Sequence, residues 1–585
     1  MNSEWSLDAL YKGFDTEEYK NDFAKLEQTA KDYNALPETL DAGKPVGSVR
    51  RIIEAEEALN ALVMDLEIYA ALRQAADTKD AEATSQLGRI MAIVSTCAGT
   101  SAQLQAFIAS LSLTDEMIDS DELLKEYRYY LTCIKEDSKY LLSKKEEDVF
   151  AAMNLSGANA WSELQALLTS SVPVEYNGGI TNLSAIRNMA YSPDAAVRKS
   201  AYEAELKCYD RIKDSVAYSL NSIKLQVLSE CRMRGYESPL QKAVYTSRMS
   251  MKTLDALMSA IEKRLPVFHK YLKLKAKALG HENGLPWYDL FAPMGKNDKK
   301  YTVEDARDII LELFGGFDTQ LHDMAERAFN ESWIDFYPRD GKTGGAFCDG
   351  LPNQKESRIL TNFDSSFGDV VTLAHELGHA FHDEIIYQHR PLNTGYSMPV
   401  AETASTFNEN ILVSSAIDKA ETKEEKIALI ESQLCDACQI ICDIYSRFTF
   451  EKEVFDRRSD EFLSADELCN IMLAAQKKAY GDGLDPETLH PFMWLCKSHY
   501  YSGDTSFYNF PYAFGGLFAR GLYMRYKKEG ASFVGKYKKL LYATSVMSAE
   551  DTAKVADIDL TDEAFWLEGL DSYADEIAEL SELLK

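Results

Sequence analysis

The chain has no uninterrupted run of about 18 apolar residues, so no membrane-spanning helix is expected. Its first residues, Met1-Asn2-Ser3-Glu4-Trp5-Ser6, carry neither a basic region nor an apolar one, so no secretory signal is expected. Basic residues are scarce: 63 Lys and Arg stand against 93 Asp and Glu, for a net charge of −30. That balance excludes nucleic acid and anionic membranes as partners and favours solubility. Ten cysteines are scattered without a paired framework. Cys435 and Cys438 form a C-x-x-C, but with Cys442 they follow a helical rhythm and no second pair or neighbouring histidine completes a zinc site, so they read as buried thiols. Reduced thiols and the missing signal fit a cytoplasmic location. No internal repeat or low-complexity segment is evident.

Histidine is also rare, at 9 in 585 residues. Three of the nine nevertheless fall in one octet, His375-Glu376-Leu377-Gly378-His379-Ala380-Phe381-His382. Its H-E-x-x-H spacing is expected by chance on the order of 0.01 times in such a chain. Histidines four apart on a helix share a face and can converge on one ion. Zn²⁺ accepts neutral imidazole and keeps a fourth position open in catalytic sites. Glu376, at the edge of that face, can take a proton from an attacking water.

The flanking residues predict a helix. Ser366-Phe367-Gly368-Asp369 is an S-x-x-D capping box. Val370, Leu373, Ala374, Leu377, Ala380, Phe381 and Ile385 share one arc, and His375, His379 and His382 the other. His382 reads as a residue of the cleft, or one behind the ligands, rather than a ligand. A third histidine ten positions after the first would mark a metzincin, but position 385 is Ile. The third ligand is then sought in Val400–Glu409, where Glu402, Thr406 and Glu409 share a helical face. One glutamate can ligate zinc while the other orients a ligating histidine, or the pair is a solvated acidic face. Two prolines and a glycine between 389 and 399 supply the turn.

Upstream, Ser48–Arg73, Glu82–Leu111 and Asp121–Leu142 read as helices, and Val172–Gly179 as a short hairpin. Ser192-Pro193-Asp194 starts a helical run to about Met233. A domain boundary is placed near 195, giving an N-terminal helical region (1–195) and a catalytic region (196–585). Met251–Leu279 and Tyr301–Phe329 are helical, separated by a loop from Asp289 to Lys300. Lys342–Cys348 and Arg358–Phe363 look like short strands just before the histidine helix. Their edge, at Gly344, Gly345 and Ala346, either holds an extended peptide through its backbone or belongs to a structural hairpin. Far downstream, His499, Tyr500 and Tyr501 precede a glycine loop, followed by Tyr508 and Tyr512. These side chains either aim donors at a developing oxyanion or pack as aromatics.

The stretch Thr372–His382, with H-E-x-G-H-x-x-H, Glu402 and Glu409 at the spacing E-x-x-x-x-x-x-E, and F-Y-x-x-x-Y at Phe507, Tyr508 and Tyr512 with His499 upstream, resembles the M3 family of zinc peptidases, in its oligoendopeptidase F branch. The resemblance covers about 195 to 580, and the earlier helices more loosely. It implies a mainly helical fold, two helical halves flanking a deep substrate channel, with a small sheet beside the zinc helix. It implies one Zn²⁺ per chain held by His375, His379 and Glu402, Glu376 as general base, and His499, Tyr508 and Tyr512 stabilising the tetrahedral intermediate. Tyr501 stays a candidate in the channel. The expected function is a cytoplasmic zinc endopeptidase cutting internal bonds of short oligopeptides. The alternatives are a helical HExxH carboxypeptidase, which would need a basic residue in the cleft for the free C-terminus, and a non-catalytic peptide-binding scaffold.

Overall fold

A computed structural model describes residues 2–296 and 299–585. Asn297 and Asp298, inside the expected loop from Asp289 to Lys300, lie outside the described residues. The chain is mainly helical, with two small sheets. The long helices form close to where periodicity places them: Pro45–Ala76, Ala81–Ser110 and Met251–Ala278. Where polar residues interrupt the apolar stripe, the expected runs divide. Asp194 caps Ala195–Tyr209, and a new helix starts at Lys213. Asp318 separates Val303–Phe317 from Thr319–Asn330. The hairpin pairs Val174–Tyr176 with Gly179–Thr181. No helix among the described residues is long and apolar enough to cross a membrane.

The second sheet positions the site. Its order places Glu356–Leu360 in the centre, with Ile334–Asp335 parallel on one side and Phe347–Leu351 antiparallel on the other. Both hairpin strands are displaced from the sequence reading, because Gly345 turns the chain with φ of 82° and the strand begins only after it. Phe347–Leu351 is an edge strand. Leu351 is buried among the N-terminal helices, and Asn353 donates to the Ala61 carbonyl and to Asp65. The edge strand is thus held between the N-terminal helices and the histidine helix.

The histidine helix runs Phe367–Ile386. Its capping box forms as read: Ser366 Oγ accepts from the Asp369 N–H, and the Asp369 carboxylate accepts from the Ser366 N–H. Val370, Leu373, Ala374, Leu377, Ala380, Phe381 and Ile385 are all buried. Each of the large ones contributes about 1.5–3 kcal/mol by leaving water. Two further helices pack on it or on its partner, Thr403–Lys419 and Phe510–Glu529.

The approach to Thr403–Lys419 is close because position 378 has no side chain. A Cβ on Gly378 would lie 2.5 Å from Ser405 Cα and 2.6 Å from the Ala404 carbonyl oxygen. Both are backbone atoms and cannot rotate away. Gly378→Ala therefore has to push the two helices apart, at a cost of about 1–3 kcal/mol typical of overpacking. Denaturant unfolding should show this loss, together with weaker metal binding as the two helices separate. Unchanged stability would mean that the contact is not limiting.

Candidate metal centre and its surroundings

His375 and His379 face the same side of their helix, as the spacing requires. Their Nε2 atoms lie 3.2 Å apart, and Glu402 Oε2 lies 3.3 Å from the first and 3.4 Å from the second. Four atoms around one zinc at 2.0–2.1 Å stand about 3.3–3.4 Å from each other in a tetrahedron. The three side chains therefore fit that ion with one corner left over. All three line a cleft of about 450 Å³ and are part-exposed. Among the described residues one other group, His322, Asp323 and Glu326, has comparable spacing, but two of its members are exposed and it lies outside this cleft.

Glu402 does not sit within a continuous helix as the sequence suggested. It forms the break between Met398–Ala401 and Thr403–Lys419, with φ of −88° and ψ of 11°. Ser405 Oγ donates to its Oε2 at 2.7 Å, and Gly515 packs against its Cβ. Two turns after Glu402, Glu409 Oε1 meets His375 Nδ1 at 2.6 Å. An acceptor there holds the proton on Nδ1 and leaves Nε2 free for the ion. With protein groups alone, burial would depress His375, but the Glu409 contact outweighs it and raises the imidazole to about 9. Burial likewise opposes the Glu402 charge, and the contact with His379 overcomes it, holding the carboxyl at about 2.

Glu376 lies in the cleft wall, 6% exposed. Burial raises its pKa, against the pull of His375 and His379. His382 is fully buried, one layer behind the ligands. Its Nε2 meets Thr544 Oγ1 at 2.7 Å, its ring stacks on Tyr396, and burial pushes it down to about 3. It supports Tyr396, which lines the cleft.

The edge strand forms the facing wall through Ala346–Gly350. Of the three residues expected to contact peptide, only Ala346 lines this cleft. Gly344 and Gly345 stand in the preceding loop, where Asn362 occupies the Gly345 carbonyl at 2.8 Å. Two acids escaped the sequence reading. Burial raises Asp383 to about 7, despite His379, and it accepts from Ser357. Burial and the neighbouring Glu67 raise Asp349 to about 6. Asp383 stands four residues after His379, so its helical face could have revealed it. Asp349 carries no such signal.

His499, Tyr508 and Tyr512 come together. The His499 ring lies 4.9 Å from Tyr508 and 6.2 Å from Tyr512, and the two tyrosine rings meet edge-on at 5.8 Å. Burial, the Tyr508 hydroxyl and then the charge of Glu402 push the Tyr512 phenol up. Asn509 Oδ1 accepts from Arg447 Nη1 at 2.9 Å and faces His499 Nδ1 at 2.9 Å. Arg447 can only donate, so the shared atom is oxygen and His499 Nδ1 carries a proton. Tyr501 is the exception. It is 1% exposed and donates to the Trp494 carbonyl, so its hydroxyl is spent in the core and not offered to the cleft. All ten cysteines are free; Cys438 and Cys442 are buried and Cys435 part-buried.

Removing Glu402 deletes one of three converging atoms, whereas removing Glu409 only frees the His375 ring to turn. Glu402→Ala should lose bound zinc outright under mild chelation, and Glu409→Ala should weaken it by about 10–100-fold. Elemental analysis against a chelator series checks both. Full occupancy in both variants would remove Glu402 from the site.

The profile of peptidase family M3 matches residues 188–572, and that of oligopeptidase F matches residues 112–173. Oligopeptidase PepF of Bacillus subtilis is 26% identical, over 98% of this chain and 88% of its own. An oligoendopeptidase F homolog of Lactococcus lactis is 25% identical, over 99% and 97%. Among solved structures, a Chlamydophila abortus protein described as a peptidase superposes with a TM-score of 0.88 at 22% identity, covering 99% of this chain and 98% of that one. Oligoendopeptidase-F of Enterococcus faecium gives 0.69 at 20%, covering 97% and 99%. The M3 profile takes in the histidine helix, both glutamates and the His499–Tyr512 segment, and the chain belongs to peptidase family M3.

Proposed function

We propose that this peptidase is a zinc-dependent endopeptidase that cuts internal bonds of short oligopeptides. The observation that carries the reading is the His375, His379 and Glu402 triangle, with Glu376 beside it and an edge strand opposite. A zinc ion held there would polarise the scissile carbonyl and acidify the attacking water. The protein's own groups supply the remainder. The backbone of Ala346–Leu351 aligns an extended peptide by adding it as a further strand, which requires residues on both sides of the scissile bond and no free terminus. Glu376 takes the proton of the attacking water and delivers it to the leaving amine. Tyr508 and Tyr512 donate hydroxyls to the oxyanion. His499, oriented through Nδ1 by Asn509, joins them in stabilising the tetrahedral intermediate. Folded proteins do not present an extended strand to a walled cleft and are poor substrates. Related bacterial proteins named oligoendopeptidase F support this substrate class.

Glu376→Gln should keep zinc and lose about 10²–10⁴ in kcat, the usual worth of a general base. Undiminished turnover in the metal-loaded variant would sink the assignment.

Tyr512→Phe and Tyr508→Phe remove a hydroxyl each. Either, if it donates, should cost about 10²–10³ in kcat with little change in KM. In the same assay, a decapeptide blocked at both ends should be cut at an internal bond. Mass spectra showing stepwise loss of single C-terminal residues, and no cutting of the blocked peptide, would favour a carboxypeptidase instead.

A further inference from the structure

Apart from the acid-rich metal cleft, the structure has a space whose walls mix cations with carboxylates. A cavity of about 200 Å³ and a wider recess of about 910 Å³ share Tyr191, Phe291, Gln439 and Lys497 in their walls, so they adjoin with Lys497 between them. Two links tie this space to the metal centre. Asp436, in the wall of the recess, feels the charge of Glu409, the carboxylate on His375. Arg447, whose charge reaches Lys497, donates to Asn509, which holds His499 two residues further along the chain.

Among the described residues, the cations withdrawn from solvent around this space are paired except one. Arg187 is bonded to Glu205, Arg198 to Asp289, Lys275 to Glu431, and Arg447 to Asp443. The Lys497 ammonium has no ion pair and no hydrogen bond with any described residue, and the side chain is part-buried. Burial and then Arg447 push its pKa down, with Asp443 only partly opposing them. An unpaired cation removed from water is costly, and a carboxylate brought to it relieves that cost with a charge-assisted hydrogen bond. The same cavity wall holds a second unsatisfied group: His490 is 1% exposed and its Nδ1 has no partner among the described residues. Buried polar atoms left unpaired mark places where a polar occupant belongs.

Lys497 offers a single ammonium where the two spaces meet, which limits the occupant there. Glu205 and Asp443 stand in the same wall and the whole chain carries −30, so a phosphate or other polyanion meets repulsion that a single carboxylate does not. We infer that Lys497 is a recognition site for one carboxylate of the peptide substrate, supplied by an acidic side chain or by the free C-terminus. This rests on the peptide-hydrolysis reading above.

Binding separates the two ideas because it needs no turnover. The probes are a neutral decapeptide blocked at both ends, a set in which a single Glu replaces Gln at each position in turn, and the parent with a free C-terminal carboxylate. Calorimetry on the zinc-loaded Glu376→Gln protein should find at least one carboxylate peptide bound about 10–100-fold tighter than the neutral parent, the worth of a charge-assisted hydrogen bond. A gain within the Glu set identifies a side chain as the source, and a gain with the free acid identifies the terminus. Adding Lys497→Met should shrink the gain to within about 2-fold, while Lys497→Arg should keep most of it. Equal binding of every peptide to the Glu376→Gln protein, or a gain that survives Lys497→Met, overturns the inference. Cutting of the neutral parent by the unmodified enzyme, run alongside, tests the peptidase reading separately.

Discussion

The site depends on how closely two helices approach at Gly378. With only hydrogen at that position, the backbone of Ala404 and Ser405 comes within reach of the histidine helix. That approach carries Glu402 to the imidazole pair and Glu409 to the far nitrogen of His375. Asn408 strengthens the same contact by donating to the Ala374 carbonyl. Three ligand atoms spaced for one ion are then a property of helix packing rather than of flexible side chains reaching inward. Rigid elements hold a constellation more accurately than loops do.

Charge is distributed unevenly around this centre. The metal cleft concentrates carboxylates: Glu376, Glu402, Asp349 and Asp383 all line it. Burial would drive each of them toward the neutral form, and only Glu402 is held firmly ionised, through His379. In the recess walled by Lys497, that ammonium has no ion pair among the described residues. In a chain of net charge −30, a withdrawn unpaired ammonium is the more informative feature, because the surroundings supply carboxylates in abundance. The single π-helical turn at Gln439–Asp443 stands at this junction. Such turns insert one residue into a helix and are found mostly at functional sites. Here its ends supply Gln439 and Asp443 to the cavity wall.

Several elements were legible because they depend on neighbours in sequence. The capping box at Ser366, the apolar arc from Val370 to Ile385, and the facing histidines all follow from 3.6-residue periodicity and local hydrogen bonds. The aromatic segment around His499 was readable as a cluster but not as an arrangement. Tyr501 and Tyr512 are equivalent in sequence terms, and only packing turns one hydroxyl to the Trp494 carbonyl and gathers the other with His499 and Tyr508. The strand positions slipped because a short strand is set by its partner's register, and Gly345 spends its conformational freedom on a turn.

By itself, the sequence determined the helical class, the histidine face, the glutamate next to it and the glutamates near enough to join the site. Each rests on residue type and spacing within one element, where the backbone period fixes which side chains lie together. The tertiary structure alone decided how far apart the His375, His379 and Glu402 atoms stand, which tyrosines gather at His499, which residues of the edge strand face the cleft, and that Lys497 has no ion pair among the described residues. Those are relations between elements distant in the chain, and the free energy that sets them comes from burial and close packing that no local pattern records.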